Sequence, residues 1–266
     1  MVRRALVFMR AMLEFEKIML NTKLRSLFFK DLLKFLFSRA PYRVEIDGAS
    51  LLIHPRSMVY IILRETFVHQ IYKPGRDIGK VDVILDLGAY IGDFSVWASK
   101  AFHPRTIIAL EPNGSFFELL QRNIELNELS NVVHAINQAI YNKESTLAES
   151  VFMRDSSASY FNEDPSGKTK ATTLSNLLAV HEIEMVDYFK MDIEGAEKFV
   201  LVDENRPIFG NRVRFVSFET HEKWGFGKGE ALAYFDSLGY EVIQTGERGP
   251  YNQFEAYNPR FFARGE

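Results

Sequence analysis

Val83-Ile84-Leu85-Asp86-Leu87-Gly88-Ala89-Tyr90-Ile91-Gly92-Asp93 is the stretch on which the fold turns. Its apolar start reads as a short buried strand. The two glycines then permit a tight turn and a close backbone approach to a ligand. Helical spacing takes over from Asp93 to Phe102, so the order is strand, glycine turn, helix. Downstream the alternation repeats. Strands are expected at 106–110, 131–136, 188–191 and 213–218, with helices at 115–127, 174–180 and 228–238. Such alternation is the mark of βαβ units and a parallel sheet. Residues 240–244 and 254–257 close the chain as an antiparallel pair, and residues 141–181 read as an irregular insertion.

Upstream, Leu24, Leu27, Phe28, Leu32, Phe35 and Leu36 recur at helical spacing until Pro41 ends the run. Residues 44–53 form a hairpin turning at Asp47-Gly48, followed by a helix over 57–72 and the break Pro74-Gly75. The expected organisation is a basic helical extension at 1–40, a lead-in at 41–80, and one catalytic domain at 81–266.

Composition narrows the function. The chain has no cysteine, which excludes disulfides, zinc-thiolate sites and cysteine nucleophiles and fits a reducing, cytoplasmic setting. A net charge of −3 argues against a broad nucleic-acid surface. Residues 1–40 carry nine Lys and Arg against three acids, a net +6 that leaves −9 on the remainder. That basic amphipathic segment suits peripheral contact with an anionic membrane, or self-association. It is too interrupted by charge for a signal peptide, and no apolar run reaches the roughly 18 residues of a membrane span.

The glycine turn discriminates between ligands. A dinucleotide fold presents G-x-G-x-x-G and a helix N-terminus to a pyrophosphate. Here Ala89-Tyr90 replaces the close second glycine, Asp86 precedes the turn, and Asp93 puts a negative charge at the helix start. These features suit a ligand cationic at sulfur, S-adenosylmethionine (SAM). Glu111 follows Asp86 by 25 residues, about where an acid takes both ribose hydroxyls in nucleotide folds. The expected donor site is Asp86, Gly88, Ala89, Tyr90 and Gly92, then Glu111, Pro112 and Asn113, with Gln138 and Ala139 near the adenine. The fold class follows: α/β, a Rossmann-like class I methyltransferase fold with a mainly parallel seven-stranded sheet, helices on both faces, and an N-terminal helical extension.

Four segments in order resemble the FkbM family of SAM-dependent methyltransferases. They are Asp86-Leu87-Gly88-Ala89-Tyr90-Ile91-Gly92, Leu110-Glu111-Pro112-Asn113, Lys190-Met191-Asp192-Ile193-Glu194-Gly195-Ala196-Glu197, and Phe218-Glu219-Thr220-His221. The similarity spans roughly residues 60–245, and the Lys-x-Asp-x-Glu-Gly-x-Glu run is its most specific part. The resemblance implies O-methylation of a hydroxyl on a sugar, glycan or secondary metabolite. One departure is Thr173-Leu174-Ser175, where the family often has Thr-Leu-Asp.

Ligands of open α/β sheets lie beyond the carboxyl ends of the strands, so Asp192, Glu194, Glu219 and His221 should meet beside the donor. His221 is the expected general base, since an imidazole titrates near neutrality. Asp192 would orient it or accept the acceptor's proton. Glu197 is expected to favour the N-terminus of the next helix, and Lys190 to make a structural or sheet-edge contact. Trp224 and Phe226 could floor a sugar site, and Glu65 and Tyr72 could close over the donor. No dedicated metal signature is present; Asp192, Glu219 and His221 are the ligands if an ion such as Mg assists. The competing functions are an RNA methyltransferase, suggested by Asn123 and Asn127 after Glu111-Pro112-Asn113, and a non-enzymatic SAM-binding module.

Overall fold

The computed structural model describes residues 40–54, 59–151, 159–164, 166–222, 226–248 and 251–262. The helix expected over 1–40 and the aromatic Trp224 lie outside the described residues. No helix among the described residues is long and apolar enough to cross a membrane.

The hairpin forms as expected from β1 (Tyr42–Ile46) and β2 (Ala49–Ile53). Asp47 and Gly48 turn it at φ 46° and 73°. The following helix is shorter than 57–72. Among the described residues it comprises α1 (Val59–Leu63), widens into a π-helical turn at Arg64–His69, and stops at left-handed Gln70.

The central sheet contains β3 (Val83–Leu87), β4 (Thr106–Leu110), β5 (Val133–Ile136), β10 (Val186–Met191), β11 (Val213–His221), β12 (Glu241–Arg248) and β13 (Tyr251–Tyr257). Its order is β12-β13-β11-β10-β3-β4-β5. The five strands from β11 to β5 run parallel, and β13 pairs antiparallel with β11 and β12. Alternating side chains divide the core between the two faces. Ile84, Ile107, Tyr188 and Phe215 pack with the hairpin, α1, α2 (Asp93–Phe102) and α3 (Gly114–Leu126). Leu85, Ile108, Phe189 and Val216 face α4 (Leu174–Val180), α5 (Glu197–Val200), α6 (Arg206–Arg212) and α7 (Lys228–Ser237).

Two expectations are corrected. The insertion is not irregular: β6 (Gln138–Ile140), β7 (Ser145–Val151), β8 (Ser159–Glu163) and β9 (Thr169–Thr172) build a second sheet, ordered β6-β9-β7-β8. Its strands are mostly polar and, among the described residues, share a small apolar patch of Ala139, Leu147 and Ala171, so no hydrophobic alternation announces them. Lys190 is not at a sheet edge either; β10 is the middle strand of the seven.

Asn123 and Asn127 take structural work. Asn123 bonds both backbone groups of Leu52 and the carbonyl of Ile91, and Asn127 bonds both backbone groups of Ser50. These amides dock the hairpin on α3, so they no longer argue for an RNA-modifying site.

Candidate active site

The glycine loop leaves β3 between two neighbours. Gly88 lies at φ 80°, and a Cβ there would stand 1.9 Å from the backbone oxygen of Asp192. Only glycine lets the loop rest on the end of β10 in this way. The loop's amides turn inward. Gly88 and Ala89 donate to the carbonyl of Leu110, Gly92 donates to that of Ala89, and Tyr90 donates to Glu111 Oε2 at 2.8 Å. A loop whose N–H groups are spent internally is not a pyrophosphate cradle, in keeping with the reading of its sequence.

Charge under the loop is buried and partly paired. Asp86 is fully buried, bonded by Ser95 Oγ at 2.7 Å and ion-paired with Lys190 Nζ at 3.0 Å. It therefore faces Lys190 and Ser95 rather than open space. Lys190 also donates to the carbonyl of Gly88 at 2.8 Å, which holds the loop down. Asp93 at the start of α2 accepts from Thr66 Oγ1 at 2.6 Å, and burial, against that bond, pushes it up to about 6. Glu111 receives Asn113 N–H on one oxygen and Tyr90 N–H on the other; burial outweighs both bonds and raises it to about 8. Each of its oxygens retains a second lone pair suited to a diol. Among the described residues, three buried carboxylates at the loop thus face one buried lysine. That donor set fits a cationic ligand bearing vicinal hydroxyls.

The other expected donor residues divide. Tyr90 stands at φ 50° with its ring edge-on to Phe116. Ala89 is packed in the core. Asn113 caps α3 through its side-chain oxygen, which accepts from Ser115 and Phe116. Pro112 and Gln138 are half-buried beside the site, whereas Ala139 packs into the insertion's apolar patch.

The second group is set by strand periodicity. Tyr188, Lys190 and Asp192 share one face of β10 and its extension, and Phe215, Glu219 and His221 share that face of β11. Asp192, Glu219 and His221 offer ligand atoms all within 4.8 Å of one another. His221 Nε2 lies 3.6 Å from Asp192, 3.5 Å from Glu194 and 3.9 Å from Glu219. Glu194 reaches it from a left-handed turn (φ 54°) that Gly195 continues at φ 96°. Tyr72 Oη donates to Asp192 Oδ2 at 3.2 Å, so Tyr72 closes on this cluster. Phe226 is buried in the core.

Glu197 stands at the helix start as expected but has a second role that its position does not announce. It is the first residue of α5, yet its side chain is fully buried and lies 2.8 Å from His221 Nδ1. The third acid in Lys-x-Asp-x-Glu-Gly-x-Glu, close to a histidine only through the sheet, gives no local signal of this. The near-neutral imidazole expected of His221 is corrected with it. Burial lowers His221, but the bond to Glu197 and the charges of Glu197, Asp192 and Glu194 push it up to about 10. In this arrangement His221 carries its proton at neutral pH.

A mostly parallel sheet of this order, with a glycine loop after β3 and a polar cluster at the ends of β10 and β11, is the Rossmann-like architecture of methyltransferases. The family model described as the methyltransferase FkbM domain matches residues 86–242, and the chain belongs to that family. Among curated proteins it resembles methyltransferase sdnD of Sordaria araneosa, 24% identical, over 84% of this chain and 98% of that protein. Methyltransferase 1 of Beauveria bassiana is 26% identical over 44% of this chain and 56% of its own length. A solved structure of methyltransferase FkbM from Methylobacillus flagellatus aligns with TM-score 0.49 and 13% identity, covering 72% of this chain and 47% of that one.

Proposed function

We propose that the chain methylates a hydroxyl group on a sugar, glycan or secondary metabolite, with Asp192 and His221 at the acceptor. The supporting observation is the contact between the two groups: the glycine loop rests on the backbone of Asp192, whose side chain belongs to the cluster around His221. When bound, SAM supplies a methyl group activated by a sulfonium. The chain's own task is to hold the acceptor oxygen in line and take its proton. The carboxylate of Asp192 receives that proton, while the charged imidazole of His221, fixed by Glu197, stabilises the cluster beside it. A divalent ion is a second reading, favoured by the convergence of Asp192, Glu219 and His221; it would lower the acceptor hydroxyl's pKa.

The test is transfer of labelled methyl from SAM to a panel of saccharides and polyhydroxylated metabolites, with and without divalent ions. The expected product carries the label on oxygen, and Asp192→Asn abolishes transfer. Label on nitrogen or carbon, or undiminished transfer by Asp192→Asn, would overturn the assignment.

A further inference from the structure

We propose that the acceptor cluster is a built divalent-cation site selective for a nitrogen-accepting ion of the Mn, Co or Zn type over Mg, with Glu197 and Tyr72 as its outer supports. This rests on the reading of the cluster as the acceptor side of the active site. Three observations carry it. The first is ligand spacing. Donor atoms about 2.1 Å from one ion stand about 3.0 Å apart in an octahedral site and about 3.4 Å apart in a tetrahedral one. His221 Nε2 stands 3.6 Å from Asp192 Oδ1 and 3.9 Å from Glu219 Oε2. Two carboxylates and one imidazole leave one position open for an acceptor oxygen, the arrangement of catalytic rather than structural sites.

The second observation is outer-shell support. A ligating histidine commonly gives its other ring nitrogen to a carboxylate, which fixes ring orientation. Glu197 does this from full burial, 2.8 Å from Nδ1, and thereby turns Nε2 toward Asp192 and Glu219; an ion bound at Nε2 takes the place of the proton the ring carries in its absence. Tyr72 engages Asp192 Oδ2 and leaves Oδ1 on the side of His221. The third is charge. Asp192, Glu194, Glu197 and Glu219 gather around one imidazole, and the nearby ammonium of Lys190 is ion-paired with Asp86. Buried Oε2 of Glu197 makes no hydrogen bond. One buried and three half-buried carboxylates around a single imidazole favour a cation. An imidazole in the set selects against Mg, which favours oxygen ligands and retains its waters.

The experiment uses the full chain stripped with a chelator and titrated calorimetrically with MnCl2, then MgCl2, with S-adenosylhomocysteine titrated as a separate control. The account expects one Mn per chain, bound at least tenfold tighter than Mg. His221→Ala should lose Mn binding by more than fiftyfold, and Glu197→Gln should weaken it about 10- to 100-fold. S-adenosylhomocysteine affinity should stay within about twofold in both variants, which shows that they are folded. Absence of Mn binding to the wild type, equal Mg affinity, or unchanged Mn affinity in His221→Ala would overturn the proposal. Loss of S-adenosylhomocysteine binding by the wild type is a separate result, and it would count against the methyltransferase reading instead.

Discussion

The two halves of the site are built in opposite ways. Around the glycine loop, amides of Gly88, Ala89, Tyr90 and Gly92 have internal acceptors, and Asp86 is paired with Lys190. Around His221, four carboxylates crowd one imidazole at 2.8 to 3.9 Å. The donor half is a finished, rigid surface; the acceptor half carries like charges that repel unless something is added. Stability is therefore concentrated on one side of Gly88 and reactive potential on the other, as expected where function and stability compete.

The comparison can be broken at the seam. Gly88→Ala drives a methyl into the carbonyl of Asp192 at a left-handed backbone position. It should disturb both halves, abolishing S-adenosylhomocysteine binding by more than about 100-fold and lowering the melting temperature, read by calorimetry and circular dichroism. Next in size is a contrast of two aspartates. Asp86→Asn removes the direct ion-pair partner of buried Lys190 and should destabilise the fold by about 3 to 5 kcal/mol. Asp192→Asn removes one of the crowded charges and should leave stability unchanged or raised. Urea denaturation of both variants decides it, and equal losses would erase the distinction between the halves.

Smaller effects sharpen the picture. Asn123→Ala unpairs buried backbone groups of Leu52 and Ile91 and should cost about 1 to 3 kcal/mol while ligand affinity holds, measured by denaturation beside titration. The smallest effect is on pH. Glu111 is raised to about 8, so the free protein holds it neutral below that pH. Ionising it opposes folding progressively from its unfolded value up to about 8. On the proposed role of Glu111, the ionised form is the one that would accept both ribose hydroxyls. Affinity for S-adenosylhomocysteine should therefore rise between pH 6.5 and 8.5 by no more than about tenfold per unit. Glu111→Gln should flatten that rise.

The same division explains what the sequence disclosed. The donor half is written contiguously: a strand, a glycine turn and an acid 25 residues on carry their geometry in local rules. The β-strand period also places Asp192, Glu219 and His221 on one face before any coordinates are known. Glu197 is hidden because its role depends on a contact across 24 residues, and the partner of Tyr72, Asp192 rather than the donor, lies 120 residues away. Read locally, Glu197 is an acid at a helix start, and that is how it was assigned. The strands of the insertion were hidden for a different reason: polar side chains such as those of Thr169, Lys170 and Thr172 give pairing without apolar alternation.

The central claim is that the glycine loop and Glu111 hold the methyl donor. It is tested most directly by calorimetric titration of the wild type and Glu111→Ala with S-adenosylhomocysteine. The expected result is one saturable site in the wild type and its loss in the variant, with both proteins folded. A folded wild type that does not bind, or a variant that binds equally well, would contradict it.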